Sequence, residues 1–331
     1  MYWQLKKKNR VGFQCLGFIF LMLLFSVCHA EEFPTRAIDV VVPYAPGGGV
    51  DTFFRHVRES LAKEFNVPVN IVNRTGGGGM VGSSFVVNSK PDGYTLLGQD
   101  LMSLLMPQIV TPKAVPFDAL KDVTPLSCFA YEPSLLVIRP DLEFKTVEDL
   151  ISFAKKNPGK LVAGTSGTAT QNRINLEILK MFTGVNIRFV SFSGGGEVLV
   201  NLLGGHVDLS TSTLSACRAH VKAGKLRALA ALAPARIAEF PDLPTAKEKR
   251  ISDADINMEY CLAGPKGLPQ GVVEKISGTV NKVLKSPEVV DILNRRGYVI
   301  NFMSPSQLSE RIGKDFLFFS DVAKKAGLIQ N

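Results

Sequence analysis

Ile38-Asp39-Val40-Val41-Val42-Pro43-Tyr44-Ala45-Pro46-Gly47-Gly48-Gly49-Val50-Asp51 runs from a β-branched strand into a glycine-rich turn. Residues 52–65 follow with Phe53, Phe54, Val57, Leu61 and Phe65 at helical spacing. Strand, tight turn and amphipathic helix make half of a β-α-β unit, and the pattern repeats immediately. Residues 69–72 read as a strand, Asn73-Arg74-Thr75-Gly76-Gly77-Gly78-Gly79 as a second glycine turn, and 81–87 as a helix. After the turn Pro91-Asp92-Gly93, residues 94–97 read as a third strand. This rhythm predicts an α/β fold with a parallel, doubly wound sheet.

Both glycine turns lead into helices, whose first N–H groups and positive dipole ends point outwards. Side by side, the two turns form an anion pincer built from backbone amides. Tyr44, Ala45, Pro46, Gly47, Gly48 and Asp51 belong to the first arm, and Gly76, Gly77, Gly78 and Gly79 to the second. Neither turn contains lysine, and the second has only Arg74 at its strand end. Such a pincer suits a carboxylate better than a triphosphate.

Residues 1–30 are set apart from the fold. Lys6, Lys7, Lys8 and Arg10 precede the apolar run 11–27, and Ala30 ends it before Glu31-Glu32, which reads as a cleaved secretory signal. A membrane anchor is the competing reading, because the run approaches the lower limit of a bilayer span. A lipid anchor at Cys28 lacks the leucine and small residue expected before it. The signal segment holds four cations and no acid, so removing it lowers the net charge from +8 to +4. No basic stripe interleaved with aromatics is left to suggest nucleic acid. Cys128, Cys217 and Cys261 remain, none at metal-site spacing, and are expected as small buried hydrophobes, with one disulfide as the alternative.

The length of the remaining chain predicts two lobes. Residues 106–117, with three prolines, are expected to run irregularly over the surface. A second α/β block follows: strand 135–138, a helix opened by Thr146 and Asp149 as a variant capping box, strand 161–163, helix 174–182, strand 187–190, helix 198–203, strand 207–209, helix 215–222 and strand 226–232. Residues 31–130 and 230–331 are assigned to lobe 1 and 131–229 to lobe 2, with the chain crossing near Phe129 and Leu229. The loop 164–170 carries Thr165, Ser166, Thr168 and Thr170 without a charge, more hydroxyls than helix capping needs, and reads as a polar wall facing a ligand.

Two enzymatic readings compete. Gly77, Gly79 and Gly82 satisfy G-x-G-x-x-G after a strand, with Asp100 about 20 residues on, as in a dinucleotide site. A run of four glycines meets that pattern partly by composition, and an exported protein meets little nicotinamide cofactor. Ser166, His206 and Asp208 could be recruited for a hydrolase, but Gly164-Thr165-Ser166-Gly167-Thr168 lacks the last glycine of a nucleophile elbow.

Taken together, several motifs resemble the Bug (TctC-type) solute-binding proteins of tripartite tricarboxylate transporters. They are Pro43-Tyr44-Ala45-Pro46-Gly47-Gly48 with Asp51, Asn73-Arg74 before Gly76 to Gly79 and Gly82, and Pro91-Asp92-Gly93-Tyr94-Thr95-Leu96-Leu97. Asn157-Pro158-Gly159-Lys160, Leu202-Leu203-Gly204-Gly205 with Val207-Asp208, and Lys222-Ala223-Gly224-Lys225-Leu226-Arg227-Ala228-Leu229-Ala230 extend the likeness over the rest of the chain. The resemblance implies a two-lobed periplasmic clamshell of the Venus-flytrap kind. It is expected to be non-enzymatic, monomeric and free of cofactor or metal. It would bind a small carboxylated metabolite and deliver it to a membrane permease or a sensor. It further implies that the loops at Tyr44 to Asp51 and Gly76 to Gly79 grip one carboxylate, and that Thr165 to Thr170 and Asp208 contact the rest of the ligand. Thr75, Gly77, Ser191-Phe192-Ser193 and Arg173 depart from the family's pattern. Arg173, at a helix start where histidine is common, is expected to pair with a second carboxylate.

Overall fold

A computed structural model describes residues 33–44, 46–167, 170–192, 194–251 and 257–330. The signal segment and its cleavage point lie outside the described residues. The chain divides into Met1–Thr35 and Arg36–Asn331, and every strand and helix among the described residues belongs to the second unit.

Two mixed sheets with helices on their faces organise that unit. The first contains β1 (Ile38–Val42), β2 (Val69–Asn73), β3 (Thr95–Asp100), β4 (Val123–Glu132), β10 (Met258–Pro265) and β11 (Val299–Met303), in the order β11-β4-β10-β3-β1-β2. The second contains β5 (Ser134–Ile138), β6 (Val162–Thr165), β7 (Arg188–Ser191), β8 (Leu209–Thr213) and β9 (Arg227–Leu232), in the order β7-β6-β8-β5-β9. The predicted parallel sheet holds for β1, β2 and β3. It is completed by β10, antiparallel to both β3 and β4, and by β11, antiparallel to β4. β4 is a long strand that the sequence pattern hides, because Pro125 and Ser127 interrupt its alternation.

Ten helices among the described residues connect the strands: α1 (Gly49–Phe65), α2 (Met80–Val87), α3 (Leu101–Val110), α4 (Val147–Lys156), α5 (Gln171–Thr183), α6 (Gly195–Leu203), α7 (Leu214–Lys222), α8 (Gln270–Leu284), α9 (Pro287–Arg295) and α10 (Pro305–Lys325). α1 buries the predicted stripe Phe53, Phe54, Val57, Leu61 and Phe65 and stops at Asn66, which adopts the left-handed conformation. The Phe53 ring stacks on Tyr260 with centroids 4.2 Å apart and meets Phe54, Phe129 and Tyr298 edge-on, fixing α1 to β4 and β10. The expected irregular stretch 106–117 is helical over its first five residues, which form the second half of α3, and is irregular from Thr111, with one 3-10 turn at Pro112–Ala114. Pro107 is tolerated there within an apolar helix that buries Leu104, Leu105, Met106, Ile109 and Val110. On the same side of the first sheet, α3 and α10 share a core into which α5 inserts Ile174 and Ile178.

Strand directions decide where the two sheets present their loops. β4 runs with β1, β2 and β3, so Glu132 ends at the same edge as Val42, Asn73 and Asp100. The chain then passes through Pro133 to Ser134, which lies opposite Thr213 and Leu232, the exits of β8 and β9. The carboxyl edges of both sheets therefore meet at the crossing Glu132-Pro133-Ser134. The return runs from Leu232 to Met258, which lies opposite Glu132.

Candidate functional site

Six helices open along these two edges: α1, α2 and α3 after β1, β2 and β3, and α5, α6 and α7 after β6, β7 and β8. Three of their N-termini are closed by the protein's own oxygens. Asp100 accepts the Ser103 N–H at 2.9 Å on α3, and Thr170 accepts the Arg173 N–H at 3.4 Å on α5. Glu132 reaches across the crossing to accept the Ser215 N–H of α7 at 2.8 Å. Its other oxygen accepts the Tyr260 hydroxyl at 3.0 Å. By contrast, α1 opens at Gly48 and α2 at Gly79, neither of which supplies a side-chain cap. α6 opens at Gly194, and side chains added at Gly194, Gly195 or Gly196 would meet no atom within 4 Å.

The first glycine turn is held from behind. Asp51 is buried and accepts the Gly47 N–H at 2.8 Å, Arg55 Nε at 2.9 Å and Asn73 Nδ2 at 2.9 Å. Asn73 also donates to the Tyr44 carbonyl at 2.9 Å, and its own oxygen accepts from Arg55 at 3.0 Å. Burial opposes the charge on Asp51, but the bonds from Arg55, Gly47 and Asn73 outweigh it and hold the carboxyl below its usual range. Asp51 thus shapes the loop and has little left to offer a ligand. Arg55 and Asn73 complete the clamp. Asn73 belongs to the Asn73-Arg74 motif, whereas Arg55 is legible in the sequence only as an i,i+4 partner of Asp51.

The second turn, Gly76 to Gly79, is left-handed, with φ of 134° at Gly76 and 54°, 66° and 99° at the three following glycines. Consecutive positive φ values are open to glycine at little cost. A side chain at Gly79 would stand 3.1 Å from the Tyr44 hydroxyl, so the two arms touch. Gly82 serves close packing instead, since its Cβ would lie 2.7 Å from the Arg74 carbonyl and 2.8 Å from Pro43. Arg74 itself lies over the Phe85 ring, its guanidinium carbon 3.6 Å from the centroid. The Tyr44 hydroxyl is buried without a hydrogen-bond partner among the described residues, and burial, then Asp100, push it well above the ordinary phenol range.

On the second sheet, Thr165 is buried at the exit of β6 and its hydroxyl lies 3.0 Å from that of Ser191 at the exit of β7. Asn172 accepts the Ser166 N–H at 3.1 Å and donates to Ser210 at 2.9 Å and the Thr211 carbonyl at 2.6 Å. Thr165, Ser166 and Thr170 thus gather at one edge, close to the crossing, where Gln171 reaches Ser134 at 3.5 Å. Ala45 and Thr168 lie outside the described residues.

Two expected contacts are placed differently. Asp208 sits at the entry of β8, on the edge remote from Thr165, where it accepts Arg139 Nε at 3.0 Å and the Val162 N–H at 2.9 Å. It is ion-paired with Arg139, at the end of β8 opposite the end where Thr213 meets the crossing. Arg173 is turned along its own helix onto Glu177, 2.9 Å from Nε, and lies over the Phe189 ring at 3.8 Å. The enzymatic constellations fare similarly. Ser166 and Asp208 are at opposite ends of the second sheet, and Asp100 is buried as the cap of α3. Among the described residues no group of three or more His, Cys, Asp and Glu side chains is arranged to hold a metal. A groove of about 1050 Å³ lies at the remote edge of the second sheet, between Thr146, Arg227 and Phe240. Its helix end is closed by the Thr146–Asp149 capping box, and Arg227 is spent on the Leu142 and Phe144 carbonyls.

Two α/β sheets joined at their carboxyl edges, with glycine-led helix ends facing the junction, define a periplasmic-binding-protein fold. The sequence profile of the tripartite tricarboxylate transporter family receptor (TctC) matches residues 53–330, and the chain belongs to that family. It is 28% identical over 298 residues to the protein BugT of Bordetella pertussis, covering 90% of this chain and 91% of that one. It is similar in structure to MatC from Rhodopseudomonas palustris with bound malate, with 27% identity, a TM-score of 0.75, and 88% and 99% of the two chains covered. R. palustris Rpa4515 with adipate gives 29% identity, a TM-score of 0.76 and coverage of 89% and 98%. Among the described residues no helix is long and apolar enough to cross a membrane.

Proposed function

We propose that this chain is an exported receptor that captures a small carboxylated metabolite, of the dicarboxylate or tricarboxylate kind, and delivers it to a permease of the tripartite type. It acts by binding alone. The observation that carries this reading is the pair of helix ends at Gly48 and Gly79, left without side-chain caps and brought together at the sheet junction. Such ends offer N–H groups to an anion, and no lysine competes there for a phosphate. The malate and adipate held by the two similar structures support a carboxylate of that size.

In this reading residues 31–130 with 230–331 form one lobe, 131–229 the other, and the ligand closes them. Tyr44, Gly47, Gly48 and Gly76 to Gly79 hold one carboxylate. Thr165, Ser166, Thr168 and Thr170 face the remainder. Cleavage after Ala30 releases the mature chain.

Calorimetric titration of ligand-free protein with malate, adipate, citrate, short monocarboxylates and amino acids tests it. Saturable one-to-one binding of at least one di- or tricarboxylate is expected, with the ligand recovered unchanged. Failure of every carboxylate to bind, together with a nucleotide carried through purification, would favour the enzymatic reading instead.

A further inference from the structure

Cys128 and Cys261 are register partners across the antiparallel strands β4 and β10, next to a bulge at Phe129 where the register shifts between Tyr260 and Cys261. Opposed residues of a regular antiparallel pair have Cα atoms about 4.5–5.5 Å apart, and a disulfide spans roughly 4.4–6.8 Å, which leaves room for the local distortion of a bulge. Both side chains point to the same face of the sheet, into the core shared with α3 and α10. In the structure both are thiols, and both are buried. The sulfurs are close enough to influence one another: burial, then hydrogen bonding and repulsion from Cys128, push the Cys261 thiol well above its ordinary range. The third cysteine, Cys217, is buried in the core of the second sheet beside Leu135 and Leu202, so it does not compete for either partner.

We propose that Cys128 and Cys261 are joined by a disulfide in the exported protein, stapling β4 to β10 beside the crossing between the two sheets. The proposal rests on the export reading, since a reducing compartment would keep both thiols reduced. The oxidant is an external disulfide, borne by a thiol-oxidising protein or by oxidised glutathione. One cysteine thiolate attacks it, breaking its S–S bond and releasing one sulfur as a thiol. The second cysteine then attacks the mixed disulfide and releases the other. The chain gives up two electrons and two protons, and both pass to the oxidant, which leaves as two thiols.

Timing follows from burial. A thiol that holds its proton is a poor nucleophile, so the exchange belongs to the stage when β4 and β10 are pairing and solvent still reaches them. Once folded, the bond is shielded from reductants by the same core. The staple encloses residues 129–260, and so the whole second sheet. It pins the two strands that lead into and out of that sheet, close to Glu132, Met258 and Tyr260. Relative movement of the sheets would then be taken up beyond the staple, at the crossing and in the return segment.

The test is alkylation of the exported protein with N-ethylmaleimide in guanidinium without reductant, followed by intact and tryptic mass spectrometry. The expected result is one adduct, at Cys217, with a peptide pair linked through Cys128 and Cys261. The link should survive in C217S and vanish in C128S. Wild type and C217S reduced in guanidinium and refolded under reductant should melt roughly 5–10 °C below their oxidised forms. A parallel sample, made without residues 1–30 in the cytosol and refolded with oxidised glutathione, separates pairing from export. A link there, in cells whose full-length product stays in the cytosol with Cys15 and Cys28 also alkylated, supports the pairing and sinks the export reading. Three adducts on exported protein, or no link after refolding, overturns the proposal.

Discussion

Replacing Asp51 with asparagine removes one charge from behind the first glycine turn and leaves the side chain's shape unchanged. The Asp51 side chain is 2% exposed, and its two oxygens serve Gly47, Arg55 and Asn73 at 2.8, 2.9 and 2.9 Å. Asparagine retains one oxygen and turns an amide towards another donor. A hydrogen bond to a charged group contributes about 1.5–3 kcal/mol. The Arg55 pair contributes less, about 0.5–1 kcal/mol, because its guanidinium is 42% exposed and screened by water. Losing one loop bond and the ion pair should cost about 2–4 kcal/mol, a fall of roughly 5–10 °C in melting temperature. The Gly47 amide and the Tyr44 carbonyl would lose their fixed positions, and ordering them again on binding should weaken carboxylate affinity by roughly 5- to 30-fold.

The pH dependence gives the sharper check. The folded Asp51 carboxyl lies below its ordinary value, so its stabilisation is fully present above the unfolded pKa of about 4 and is lost as pH falls through the lower folded value. The stability difference between wild type and Asp51→Asn should therefore be flat from about pH 8 to 5 and close only below about pH 4. Denaturant melts across that range, with calorimetry against the dicarboxylate that wild type binds most tightly, make the comparison. Unchanged affinity together with a melting temperature within about 1 °C of wild type would refute the clamp.

Gly48→Ala should lower the melting temperature by only a few degrees, since Gly48 has φ −69° and ψ 165° and alanine is merely a poorer N-cap than glycine, while carboxylate affinity falls at least tenfold; Gly79→Ala, at φ 99° and against Tyr44, should lose more stability as well as affinity. Asp100→Asn keeps the cap on α3 but removes a carboxylate whose pKa burial has raised. It should melt above wild type at pH 7, with the gap closing as pH falls through the raised pKa towards about 4 in paired thermal scans. Arg173→Gln should lower stability by about 1–3 kcal/mol, because Glu177 is left with Lys180 alone, yet change dicarboxylate affinity by less than about threefold. A hundredfold loss in calorimetry would place Arg173 on the ligand.

Local chemistry made much of this fold legible. The β-branched run before Pro43, the stripe from Phe53 to Phe65 and the Thr146–Asp149 box each specify their element through contacts within a few residues. What stayed hidden depends on partners far along the chain. β4 is recognisable only beside β10, more than a hundred residues later, because Pro125 and Ser127 break its pattern. The Pro107 half of α3 is held by burial against α10, a tertiary gain that overrides the proline's local cost. The place of Asp208 is hidden for a related reason. A motif identifies the strand it sits on, but which end of that strand meets the crossing follows from strand direction, set by the pairing of β8 with β5 and β6. Arg173 lay at the expected helix start, but an i,i+4 glutamate and an aromatic from the neighbouring strand took its guanidinium.

The treatment of the helix ends is the strongest internal argument for a ligand at the junction. A side-chain cap stabilises a helix end by about 0.5–2 kcal/mol, and this chain uses that device at the junction through Asp100 and Thr170. For α7, where Thr213 supplies no side-chain cap, it brings Glu132 from the other sheet. Omitting a cap at α2 has a local cause, since Gly79 must take a left-handed φ and clear Tyr44. Gly48 has no such conformational cause, because its extended backbone is one that serine or aspartate also adopts. A glycine there forgoes available stability at the point where an incoming oxygen could take the cap's place. Glycine also lets the backbone approach that oxygen closely. In the proposed reading the ligand would supply the missing cap, coupling capture of an anion to the ordering of α1 and the turn that Asp51 holds.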